Sequence, residues 1–77
     1  MQPRPSKEEQ KATLLAYAKL IAPRPVLIGR AATHLGWWAT LPETEALLEE
    51  MVRDDVLRQL VEKERRAYGI RFGYVLV

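Results

Sequence analysis

Residues 40–77 read TLPETEALLEEMVRDDVLRQLVEKERRAYGIRFGYVLV, and the reading of this run decides the fold. Thr40-Leu-Pro-Glu43 is a capping box, in which the Thr hydroxyl satisfies a free backbone N–H, and Pro42 is tolerated in a first turn. Leu47, Leu48, Met51 and Val52 follow at helical spacing, with Thr44 on the same face. Asp54-Asp55 closes the helix, since Asp accepts the left-handed cap usually given to Gly. Val56 to Glu64 reads as a strand and Glu64 to Gly69 as a polar turn. Ile70, Phe72, Tyr74 and Leu76 alternate with Arg71, Gly73, Val75 and Val77, which predicts a second strand. The two strands are expected to pair as an antiparallel hairpin.

Two more helices are expected upstream. Ser6-Lys-Glu-Glu9 is a second capping box, followed by a stripe of Leu14, Ala18, Ile21 and Ala22 flanked by Leu15 and Tyr17. Pro23 and Pro25 cannot donate backbone hydrogen bonds, so the helix ends before them, and Val26-Leu27-Ile28 suits a very short strand. Ile28, Ala31, Ala32 and Leu35 mark one face of a helix near Leu27 to Leu35, with Gly36 as its terminator. Residues 1–5 carry two prolines and no apolar anchor and read as a flexible arm. The expected class is therefore mainly α with a small antiparallel β-hairpin (α+β), in the order helix, short strand, helix, helix, strand, strand. Residues 6–77 form the one domain.

A 77-residue chain buries only about 60% of the surface its unfolded form exposes, so its core must be dense. Cysteine is absent, which excludes disulfides and thiolate metal sites and fits a cytoplasmic protein. No apolar run approaches the roughly 20 residues of a membrane span, and the start lacks the apolar region of a signal peptide. His34 is the single histidine, so neither a histidine triad nor a multi-histidine metal site is available. Glu43, Glu45, Glu49 and Glu50 spread around one short helix and do not converge on a cation. The four glycines form no phosphate cradle. No enzyme, cofactor or metal is expected. The net charge of +2 is small, but its layout is not even: residues 1–36 carry +4, residues 37–57 carry −5 and residues 58–77 carry +3.

Ile-Gly-Arg-Ala-Ala-Thr-His-Leu-Gly (28–36) resembles the second-helix pattern of winged helix-turn-helix domains. Ala-Leu-Leu-Glu-Glu-Met-Val-Arg-Asp-Asp-Val-Leu-Arg (46–58) is similar to their third helix running into the wing, with Asp55 where a Gly is usual. The resemblance spans residues 6–77 and implies DNA binding, often in transcription regulation, with the third helix in the major groove. On this chain that helix exposes Glu43, Glu45 and Glu49, beside Glu50, while affinity for DNA comes chiefly from Lys and Arg on phosphates. Contact led by the wing is therefore expected, through Arg58, Lys63, Arg65, Arg66 and Arg71, with Arg30 reaching the backbone from the second helix. Arg4, Lys7 and Lys11 are expected to add phosphate contacts. The alternative is an adaptor whose Glu43, Glu45 and Glu49 face a basic protein, with Trp38 as an aromatic anchor. In the same pattern Trp37 is a core residue. Leu20 with Ala16 is a candidate seam for a homodimer.

Overall fold

The computed structural model describes residues 4–77. Residues 1–3, most of the expected arm, lie outside the described residues. The elements run α1 (Lys7–Ile21), α2 (Ile28–Leu35), α3 (Leu41–Arg53), β1 (Leu57–Gln59), α4 (Glu62–Tyr68) and β2 (Tyr74–Leu76). The protein is thus mainly helical with a small antiparallel sheet.

The helix starts follow from their caps. Ser6 Oγ accepts from the Glu9 N–H at 3.2 Å, and Thr40 Oγ1 accepts from the Glu43 N–H at 3.2 Å. α3 ends as expected at a left-handed Asp55, φ 59°. The Val56 N–H donates back to Met51 O at 3.0 Å and the Asp55 N–H to Val52 O at 3.1 Å, which satisfies two otherwise free carbonyls.

Leu14, Ala18, Ala31, Leu47, Leu48 and Met51 bring α1, α2 and α3 together in one core, closed by Val26, Leu57 and Tyr74. Thr44 is fully buried within it, and its hydroxyl donates to Thr40 O at 2.8 Å. β1 and β2 pair antiparallel with Leu57 opposite Leu76 and Gln59 opposite Tyr74. Val26 adds a bridge on the far side of β2, giving and receiving a backbone hydrogen bond with Tyr74 at 2.7 and 3.0 Å. The short strand expected at Val26–Ile28 is this single bridge.

The hairpin itself differs from the expectation. The segment Val56–Glu64 is a strand only over Leu57–Gln59, and the second strand is confined to Tyr74–Leu76. The expected turn at Glu64–Gly69 is helix α4. Glu-Lys-Glu-Arg-Arg-Ala-Tyr has good helix formers and no apolar alternation to hold it in a sheet. The Glu64 carboxylate accepts from the Val61 N–H at 3.1 Å, Glu62 and Arg66 pair one turn apart, and Gly69 at φ 69° ends the helix. Phe72, which strand alternation puts on one face with Tyr74, is 71% exposed, whereas Tyr74 is buried.

Gly73 explains that break. It is buried, and a Cβ there would stand 2.8 Å from Leu60 Cδ1 and 3.2 Å from both Ile70 Cδ1 and Pro25 Cβ. A side chain here would force Leu60, Ile70 or Pro25 to shift for the chain to enter β2 this closely. Gly73→Ala is expected to destabilise the fold by about 1–3 kcal/mol through overpacking. Leu48→Ala, which empties a fully buried site, should lose about 2–5 kcal/mol. Urea unfolding of each variant checks both values.

Candidate nucleic-acid interface

Three of the expected contact residues come together. Arg65, Arg66 and Arg71 line one open depression with Glu62, Ile70 and Phe72. Helix α4 supplies the first two arginines, and the loop into β2 supplies Arg71 and Phe72. Lys63 is exposed on the same helix but is not part of the lining. Arg30 lies in a second depression with Arg24, Tyr17 and Tyr68, and Ile70 lines both hollows. The basic groups therefore lie on a short helix and the loop behind it, not on the tip of a two-stranded ribbon.

The arginines differ in how far they are committed. Both terminal nitrogens of Arg58 hold the Glu64 carboxylate, at 2.7 and 2.9 Å, and so tie β1 to the start of α4. Arg58, helped by the Val61 N–H, holds Glu64 down at about 2. Glu64 in turn raises the Arg58 pKa. This expected DNA contact is a structural clasp. Arg66 pairs with Glu62 at 2.7 Å, but both side chains are well exposed, where such pairs hold weakly. Arg65 only reaches Leu60 O at 3.4 Å. Among the described residues Lys63, Arg71, Arg24 and Arg30 make no ion pair or side-chain hydrogen bond.

The acidic helix α3 is answered from within the chain. Arg4 donates to Glu43 at 2.7 Å and to Trp38 O at 2.9 Å, and its guanidinium stands 5.0 Å above the Trp38 ring. Lys7 and Lys11 meet Glu50 at 2.6 and 2.9 Å, and Lys11 also reaches Asp54 at 3.1 Å. Arg4, Lys7 and Lys11, expected to contact phosphates, are thus drawn to carboxylates. Glu49 accepts from Gln59 at 2.8 Å and from the Tyr74 hydroxyl at 2.6 Å. Burial, then Glu49, raises the pKa of that hydroxyl. Among the described residues Glu45 alone of the four glutamates has no such partner.

The tryptophans sit differently. Trp37, a core residue in the winged-helix pattern, is 75% exposed, and Trp38, the anchor of the adaptor alternative, is half-buried beneath Arg4. Gly36 is the cause: its φ of 143° suits glycine, and a Cβ there would meet Trp38 Nε1 at 2.9 Å. The indole of Trp38 occupies the space that a side chain at position 36 would fill.

Phe72, Tyr68 and Arg24 were not singled out from the sequence as contact residues. Phe72 falls in a segment read as strand, and Tyr68 in one read as a turn. Among the described residues no helix is long and apolar enough to cross a membrane, and no group of three or more His, Asp or Glu side chains is gathered to hold a metal. Comparison with protein-family models, curated proteins and solved structures found no match to this chain.

The ion pairs predict how stability depends on acid. The ammonium groups of Lys11 and Lys7 hold the Glu50 carboxyl at about 2, well below its ordinary 4.5; Glu64 behaves alike. A carboxyl whose folded pKa is depressed adds stability that is complete above its unfolded value and is lost as pH falls toward its folded one. The melting temperature is therefore expected to fall between about pH 5 and pH 2. The double variant Lys7→Met, Lys11→Met should show a shallower fall, measured by thermal melts across that window.

Proposed function

We propose that this chain is a small nucleic-acid-binding domain of winged helix-turn-helix type, with a regulatory role. Its element order supports the fold reading in outline: three helices, then two antiparallel strands with the short helix α4 between them, and Val26 as a further bridge beside β2. One observation carries the functional reading. Arg65, Arg66 and Arg71 converge on a single solvent-open hollow, while the carboxylates at Glu43, Glu49 and Glu50 have partners inside the protein. This supports a contact led by α4 and the loop after it, where positive charge is left, in place of the third helix. Phosphates are recognised by such guanidinium groups, and counterions released from the nucleic acid drive the association.

A second reading, an adaptor that binds a protein, draws on a different face. Trp37, in the link between α2 and α3, and Leu41, the first residue of α3, are exposed at 75% and 57%, and a large exposed aromatic is typical of binding hot spots. This reading moves the anchor from Trp38 to Trp37 and leaves Glu45 as its available carboxylate.

Fluorescence anisotropy with a labelled mixed-sequence DNA pool separates the two. The nucleic-acid reading expects binding at about 50 mM salt that weakens steeply by about 200 mM. Arg65→Ala with Arg66→Ala should weaken it for every sequence alike, and removing each phosphate-binding guanidinium should lower the salt slope by about 1. No binding at low salt would turn the assignment to the adaptor.

A further inference from the structure

We infer that the hollow on α4 takes single-stranded nucleic acid, with Phe72 as the platform on which a base stacks and Arg65, Arg66 and Arg71 on the neighbouring phosphates. The inference rests on the nucleic-acid reading above and specifies the form of the ligand.

Phe72 is the observation that asks for it. An aromatic residue 71% exposed lines a depression together with three arginines, Glu62 and Ile70. Its outward position is built in. Gly73 is wedged against Leu60, Ile70 and Pro25, and Tyr74 is held by backbone hydrogen bonds to Val26. The residue before this anchored pair faces solvent on a firm base. Rings displayed among positive charges are how proteins hold unpaired strands: the charges follow the backbone, and the ring takes a base by its flat face.

A duplex fits the same residues less well. Its base faces are stacked on one another, so Phe72 meets one only by wedging a step apart, which must be offset by further contacts along the bent duplex. The elements available for that are short. α4 has seven residues and β1 and β2 three each, and the longer α3 carries the glutamates. Glu62, the one acid of the hollow, pairs with Arg66, and a phosphate arriving there exchanges one exposed partner for another.

The test measures anisotropy of labelled oligo-dT and oligo-rU of about 12 nucleotides, against a duplex of the same length and mixed sequence, at about 50 mM salt. The expected result is binding to at least one single strand about tenfold tighter than to the duplex. Phe72→Ala should lose about tenfold on the single strand with the salt slope unchanged, and Phe72→Tyr should retain the affinity. Arg65→Ala with Arg66→Ala should weaken binding and flatten the salt slope. Circular dichroism and thermal melts confirm that each variant is folded. Equal affinity for single strand and duplex, or a Phe72→Ala variant that binds as the parent does, overturns this inference while leaving the arginine contacts standing. Absence of binding to every probe overturns the nucleic-acid reading with it.

Discussion

Tyr74 ties four parts of the chain to one residue. Its backbone exchanges two hydrogen bonds with Val26 in the α1–α2 connector, and it pairs across the sheet with Gln59 of β1. Its ring is 3% exposed within the helical core, and its hydroxyl donates to Glu49 of α3. A buried phenol left without an acceptor is unfavourable by an amount comparable to a missing hydrogen bond, so the position of Glu49 on α3 and the position of β2 are set together. Leu60 N–H donating to Gly73 O at 3.0 Å then closes the base of the segment between the strands. Everything from Val61 to Phe72 is an excursion from two fixed points. The hollow that gathers Arg65, Arg66 and Arg71 lies on that excursion, so its geometry depends on Tyr74, although no atom of Tyr74 lines it.

The charges divide along the same boundary. The basic residues at the start of the chain meet the acids of α3, through Arg4, Lys7 and Lys11 on Glu43, Glu50 and Asp54. The outer pairs, Arg4 with Glu43 and Lys7 with Glu50, are screened by solvent and hold weakly, while Lys11 with Glu50 is better shielded. The network's larger effect is on the field. Three cations of the first segment offset part of the acidic charge of the second, and residues 58–77 keep their net charge of +3.

Much of the fold was legible in the sequence because its signals were local. Two capping boxes, a left-handed Asp55 and apolar spacing placed the three long helices to within a residue or two. The antiparallel pairing of the final strands was also foreseen. What failed lay between them. Residues 61–69 have no apolar periodicity of either kind, and their helical preference is carried by a Glu64 side chain that caps Val61 and by an i, i+4 pair, signals easily read as turn chemistry. Phe72 was misplaced because period-two alternation ran through it unbroken; only the crowding at Gly73 shows why alternation stops there. The candidate site residues were chosen by charge, and which of them sit together was not legible. Arg58 looks like Arg65 in sequence, yet one is held on both nitrogens by Glu64 and the other makes a single long contact with a carbonyl.

Helix α4 contributes no buried residue to the protein. It is an appendage clamped at its root, and ring closure becomes harder only slowly as a loop lengthens, by about 0.6 kcal/mol per doubling. Insertions, deletions or wholesale replacement between Val61 and Phe72 should therefore be tolerated by the helical body so long as Leu60 and Gly73 still meet. Such a chain is a helical body with an exchangeable tip, in which a dozen positions can be rewritten while the rest is left alone.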